Sequence, residues 1–281
     1  MFALFLCFMF ILGAILGSFA CCQARRLHFK EVALKRPEDA SKSQSSSKNP
    51  YGNRSICDHC HQQLSWYENI PIFSWLFLRG RCKKCHKKIG FTELFSELGL
   101  ASALLAIGFK FWPSLSNLNS PFPAISFILL IVIFTTLTIC FVYDALWGEF
   151  PSFILYILLP LGIIFLIFKY ISGTKIDTIS LLAGIGILPG IYYLLYFFSK
   201  EKLVGSGDWL LCLPFALVLH NFWLCFFVLF LSNFLAILVQ FPLTLLSKKK
   251  SHQFPFGPFL IIAFLIVYLA SEFLVKIAVI I

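Results

Sequence analysis

Four of the ten cysteines fall into two CxxC pairs, Cys57-Asp58-His59-Cys60 and Cys82-Lys83-Lys84-Cys85, with twenty-one residues between them. Two such knuckles can set four thiolates tetrahedrally around one Zn²⁺ at about 2.3 Å each, and four sulfurs leave no open coordination position. The expected metal is therefore structural zinc, held by Cys57, Cys60, Cys82 and Cys85. The surrounding segment is short and poor in aliphatic residues, so the ion would supply folding energy that the chain lacks. The alternatives are a pair of redox dithiols, or a set in which His59, His61 or His86 replaces a cysteine. The other six cysteines, Cys7, Cys21, Cys22, Cys140, Cys212 and Cys225, lie in or beside apolar runs and are expected to pack as small hydrophobes.

Two acids carry the second chemistry. Asp144 ends one apolar run in FVYDALWGEFPSF, and Asp208 begins another in EKLVGSGDWLL. Ionisable groups at membrane depth are costly, which makes each a candidate for function. A pair of carboxyls sharing one proton can work as base and acid together, one activating water while the other protonates a carbonyl oxygen. The glycines of Gly205-Ser206-Gly207-Asp208 allow close backbone approach and turn angles that other residues resist. Each aspartate alone is equally readable as an ordinary helix-end charge.

The elements that must position these groups are membrane helices. Hydrophobic residues make up 59% of 281 and charged residues only 13%, about half the charged share of a soluble domain. The mean hydropathy is +0.86. Crossing the hydrocarbon takes about 20 mostly apolar residues, and backbone groups in lipid must bond within their own segment. The sequence predicts an all-α polytopic membrane protein of about eight helices, near 2–22, 94–112, 125–143, 152–168, 178–198, 209–220, 223–246 and 258–280. The run 209–246 is divided at His220 and Asn221, because one helix of that length would be about 57 Å long.

Fourteen of the 23 Lys and Arg residues lie between Gln23 and Glu93. Lys200, Lys202 and Lys248–Lys250 fall on the same side of an eight-span chain, whereas Lys169 and Lys175 occupy a loop opposite. The positive-inside rule then makes the long loop cytoplasmic and both termini external. The net charge of +10 follows from this topology and requires no nucleic-acid partner. Residues 1–22 lack a positive n-region, and Arg25 and Arg26 follow the apolar run, so a retained helix is expected rather than a cleaved signal. The expected organisation is a first transmembrane helix over 1–22, a cytoplasmic linker and zinc module over 23–93, and a transmembrane domain over 94–281. Glu38 to Asn53, with its SKSQSSSK stretch, reads as a mobile linker.

Taken together, these residues resemble the bacterial prepilin peptidases, or type IV leader peptidases. Gly17-Ser18-Phe19 is followed by Arg26, and Glu68-Asn69-Ile70-Pro71, Ser74-Trp75 and Gly80-Arg81-Cys82 surround the knuckles, with Glu97 beyond them. Asp144 with Pro151, the Gly205-to-Asp208 motif and Pro255-Phe256-Gly257-Pro258 complete the set. The resemblance spans nearly the whole chain. It implies a GxGD-type membrane aspartic protease of the bacterial inner membrane, with Asp144 and Asp208 as the catalytic pair. Such enzymes cleave the basic leader of type IV prepilins, or type II secretion pseudopilins, after a glycine on the cytoplasmic side. Many members also methylate the new N-terminus with S-adenosylmethionine. Three positions depart from the family pattern: Leu210 where Lys is frequent, Cys21 where Asn is frequent, and Ser152 where an acid is frequent.

Three other classes compete with this reading. A transporter would also carry membrane acids, but nearer mid-span in broken helices. A membrane-anchored nucleic-acid binder would use the zinc module and Lys83, Lys84, Lys87 and Lys88 on phosphates, yet has no need of eight spans. A scaffold would leave the aspartates as helix ends. The expected partners are leader peptides and membrane lipids, with no nucleic acid.

Overall fold

The computed structural model describes residues 1–35, 55–57, 59–60, 62–116, 121–201, 204–246 and 255–280. The linker expected over Glu38–Asn53 lies outside them, as do His61, Lys202 and Lys248–Lys250. The described residues are almost entirely helical: α1 Phe2–Lys35, α2 Phe73–Phe77, α3 Phe91–Ser116, α4 Phe122–Trp147, α5 Ser152–Ile171, α6 Thr178–Ser199, α7 Ser206–Leu219, α8 Phe222–Leu246, α9 Gly257–Leu269 and α10 Ser271–Ile280. A 3₁₀ turn covers Trp66–Asn69, and extended pairing is limited to two isolated bridges.

Every apolar run expected to be helical is helical, but fewer than eight are long enough to span. Among the described residues six helices qualify by length and composition, or seven if α9 and α10, bent by 76° at Ala270, count as one. Helix α7 has 14 residues, about 21 Å against a hydrocarbon core of about 30 Å. The division at His220 and Asn221 is real. His220 ends α7 in the left-handed region at φ 41°, and the Asn221 Oδ1 accepts from Trp223 N–H (2.9 Å) and Leu224 N–H (3.3 Å) to start α8. Helix α1 continues beyond its apolar part to Lys35.

The chain divides into two compact units, Met1–Gly108 and Phe109–Ile281. In the first, Gly13 and Gly17, a GxxxG pair on α1, lie against α3. A Cβ on Gly13 would meet the Ala101 Cα at 2.5 Å, and one on Gly17 would meet the Ser96 carbonyl at 2.5 Å. Small residues let helix backbones approach where no hydrophobic effect drives them together, so Gly17 of the GSF motif has a packing role.

In the second unit, α7 packs against α5 and α6, and α8 against α6 and α9. Phe215 of α7 stacks on Phe264 of α9 with centroids 4.0 Å apart and planes 6° apart. Gly162 and Gly184 admit Pro214 and Cys225 at two of these crossings. Phe153, Phe198, Phe230, Ile237 and Phe241 point outward and exposed, a surface suited to lipid rather than water. Cys21, Cys140, Cys212 and Cys225 are buried as expected, whereas Cys22 is half-buried and Cys7 is exposed on α1.

Candidate functional site

The metal module is built from two repeats of one local design. An antiparallel bridge pairs Ile56 with Gln63 around the first knuckle, and Arg81 with Lys88 around the second. The Cys57 N–H donates to the Gln62 carbonyl (2.9 Å) and the Cys82 N–H to the Lys87 carbonyl (3.0 Å). Each turn thus points two thiols inward. The sulfurs of Cys57 and Cys85 lie 3.9 Å apart and those of Cys60 and Cys82 4.0 Å apart, and all four fall within 4.8 Å of one another. A tetrahedron with 2.3 Å zinc–sulfur bonds has edges of about 3.8 Å, so the donor set could hold such an ion. His59 and His86 stand outside this cluster. Backbone N–H groups of Cys85, then Lys84, pull the Cys82 thiol down to about 7 against its desolvation, which favours the thiolate form that a metal requires.

The family-like pieces around the knuckles have local reasons. Gly80 sits at φ 63° with the Trp75 indole over it, where a Cβ would come within 2.8 Å of the ring. Its carbonyl accepts from Ile89 N–H at 2.7 Å. The Glu68 carboxylate accepts from Ser65 N–H at 2.7 Å, closing the 3₁₀ turn. Buried Glu97 of α3 reaches back to accept from Ile72 N–H at 2.6 Å, and Glu93 of α3 pairs with Arg25 of α1. Glu97 thus joins the module to α3, and Glu93 joins α3 to α1.

The two aspartates belong to the second unit, and the fold brings them to one end of it. Asp144 lies in the last turn of α4, which stops at Gly148 (φ 69°) with the Gly148 N–H on the Asp144 carbonyl at 2.8 Å. A carboxylate at a helix C-terminus faces an unfavourable dipole. Here the Asp144 Oδ2 instead accepts from the N–H of Gly257, the first residue of α9, at 2.8 Å. Asp208 lies in the first turn of α7, and its Oδ2 accepts from the N–H of Gly205, the cap of that helix, at 3.0 Å. Both carboxylates thus sit at helix N-termini, where backbone N–H groups and the dipole favour an anion. Both are buried, with 3% and 7% of their surface exposed, and each lies within electrostatic reach of the other.

Phe150 fastens this arrangement, and sequence reasoning missed it. Its ring lies against both Gly207 and Gly257, so that a Cβ on either would overlap it, and a Cβ on Gly257 would also come within 2.7 Å of the Asp144 Oδ2. One aromatic side chain from the α4–α5 connection thereby clamps the segments that carry both acids and the donor to one of them. A second omission is a polar network beside it, with Tyr192 and Ser232 buried and Asn233 exposed. The Tyr192 hydroxyl lies 3.1 Å from the Ser232 Oγ and accepts from the Asn233 Nδ2 at 3.0 Å, with the Tyr192 ring 5.6 Å from that of Phe256. Polar residues inside apolar helices were the available signal.

Comparison with known proteins agrees with this architecture. The family described as Bacterial Peptidase A24 N-terminal domain matches residues 11–111, most of the first helix, the metal module and most of α3. The prepilin leader peptidase/N-methyltransferase of Dichelobacter nodosus is 30% identical over 209 residues, covering 74% of this chain and 68% of that protein. That of Vibrio cholerae serotype O1 is 28% identical over 77% of this chain and 81% of its own length. That of Stutzerimonas stutzeri is 27% identical over 90% and 86%. No solved structure matches. With a polytopic helical fold, a four-cysteine cluster and likeness at this level over most of its length, the chain belongs to the prepilin leader peptidase/N-methyltransferase family.

Proposed function

We propose that the protein is a membrane aspartic endopeptidase that removes the leader from type IV prepilins or pseudopilins after a glycine, with Asp144 and Asp208 as its catalytic pair. The observation that carries this reading is the convergence of two buried carboxyls, from helices distant in sequence, under glycine backbone at Gly205–Gly207 and Gly257. The ionised member takes a proton from water as it attacks the scissile carbonyl, and the neutral member protonates the carbonyl oxygen. The N–H groups of Gly257 and Gly205 orient one oxygen of each carboxyl, leaving the other for substrate or water. A transporter reading is weaker, because both acids stand at helix ends rather than mid-span.

The four cysteines are proposed to hold structural zinc, which would link the two knuckles and supply fold energy rather than chemistry. The Lys and Arg bias supports a cytoplasmic module in the bacterial inner membrane, the side from which basic leaders would reach the site. N-methylation is proposed on kinship alone. S-adenosylmethionine would supply the methyl group, but the cavity beside the metal module, among Ser18, Arg25, Trp75, Glu93 and Glu97, holds about 160 Å³. That is below the roughly 300–1,000 Å³ of small-molecule sites, so these residues do not fit the cofactor whole.

The test is incubation of the purified protein with a prepilin or pseudopilin precursor bearing a basic leader, a glycine and an apolar helix, read by mass spectrometry. Cleavage after the glycine supports the reading, and an intact precursor under conditions where a relative cleaves it contradicts it.

A further inference from the structure

The second unit contains another ionic site, at the opposite end of its helices from the aspartates. A cavity of about 560 Å³ opens there between the ends of α5 and α7, the start of α6 and the α9–α10 bend. This lies within the roughly 300–1,000 Å³ of small-molecule sites. Four lysines line it, Lys110, Lys169, Lys175 and Lys276, against two carboxylates, Asp177 and Glu272. Lys110 and Lys276 sit inside helices, which is why a reading of loop charges overlooked them.

The four lysines do different work. The Lys110 ammonium donates to the Tyr268 carbonyl (2.7 Å) and the Ser271 Oγ (2.6 Å), and lies 4.9 Å from the Tyr268 ring centroid. It satisfies carbonyls freed where α9 breaks, and it is saturated. Lys169, half-buried on α5, has only the face of Phe111 beneath it at 5.6 Å. Among the described residues no oxygen accepts from Lys169, Lys175 or Lys276, and neither Glu272 nor Asp177 closes an ion pair with them. The Asp177 carboxylate is engaged in capping α6 through Ile179 N–H at 3.1 Å. A half-buried ammonium with three N–H groups and no acceptor is costly in apolar surroundings. Glu272 acts on Lys169 through space without a hydrogen bond. Four ammoniums against two carboxylates leave the cavity with an excess of positive charge, and an anion with several acceptor oxygens would satisfy both charge and hydrogen bonding.

The adjoining residues identify the kind of anion. Tyr170, Ile179 and Phe273, next in sequence to the lining residues Lys169, Ser180 and Glu272, are exposed at 69%, 77% and 66%, an apolar and aromatic set of the sort found where helices meet the headgroup layer. We propose that this cavity binds a phosphate diester or monoester, presented by an anionic phospholipid headgroup, with Lys169 and Lys175 as its principal donors.

The experiment is native mass spectrometry of the full-length protein titrated with phosphatidylglycerol, phosphatidylcholine or inorganic phosphate. Wild type should retain about one phosphatidylglycerol in preference to phosphatidylcholine. Lys169→Gln should weaken that retention about 10–100-fold, the loss expected of one charge-assisted hydrogen bond. Lys175→Gln, on an exposed turn where folding is not at stake, should weaken it by a smaller factor. Displacement of the lipid by inorganic phosphate would name the free anion as an alternative source, and persistence through that titration would name the headgroup. Equal retention of the two lipids, or retention and phosphate binding unchanged in both variants, would overturn the proposal.

Discussion

The Asp144 carboxylate and the Gly257 backbone N–H meet at 2.8 Å across 113 residues of sequence. That bond places an acid from the end of one helix at the beginning of another. It makes the segment around Gly257 part of the aspartate's environment, and it leaves no room there for a side chain.

Adding one methyl group should therefore disable the proposed site. Gly207→Ala and Gly257→Ala each drive a Cβ into Phe150, and the second also crowds the Asp144 Oδ2. Overpacking of this kind costs about 1–3 kcal/mol, and cleavage of a precursor should fall roughly tenfold or more, since small misplacements of reacting groups are expensive. Truncating the clamp should separate the two cases. Phe150→Ala should restore part of the activity to Gly207→Ala, but not to Gly257→Ala, where the clash with Asp144 persists. Equal rescue of both in a double-mutant comparison would count against this role of Phe150.

The metal module should contain about one zinc per chain by elemental analysis, since the four sulfurs are spaced for one tetrahedral ion. Cys57→Ser combined with Cys82→Ser should abolish it. Exhaustive chelation should expose the segment between the knuckles to protease, because the described part of the module has little else to hold it. Full zinc content in the double variant would refute the assignment.

Tyr192→Phe removes the shared partner of Ser232 and Asn233. Interhelical hydrogen bonds in membranes contribute about 0.6–1.7 kcal/mol, so thermal unfolding in detergent should shift down by a few degrees while the helical content stays the same. An unchanged midpoint would mean that the network contributes nothing to stability.

Gly17→Val should separate α1 from α3, because its side chain would meet the backbone of Ser96 and Glu97. The expected result is faster proteolysis within residues 1–108, with unfolding of the second unit unaffected. Wild-type resistance would show that the close approach is dispensable.

The helices were legible because a bilayer demands long apolar runs, and the knuckles because metal ligation imposes spacing. Asp144 and Asp208 stood out for the same reason: an acid beside a span is conspicuous. Their surroundings were not legible. Phe150 is one of 34 phenylalanines, and only the fold shows that it touches two glycines distant from it and from each other. The shortness of α7 was legible once the run was divided at His220 and Asn221, since that leaves only 209–220 for it, and the helix has 14 residues. The bend at Ala270 was hidden because an apolar run carries no sign of where a lysine from another helix, here Lys110, will cap freed carbonyls. Gly17, read as part of a motif, turned out to be needed where two backbones meet.

The central claim is that Asp144 and Asp208 act as one catalytic unit. Its most direct measurement is the single-turnover cleavage rate of a prepilin precursor by Asp144→Asn, Asp208→Asn and the double variant, each checked for retained fold. Loss of a general acid or base costs about 10²–10⁴-fold, so each single variant should fall by at least that much. The double variant should be hardly worse than either, because groups acting as a unit are not additive. Near-wild-type cleavage by either folded single variant would contradict the account.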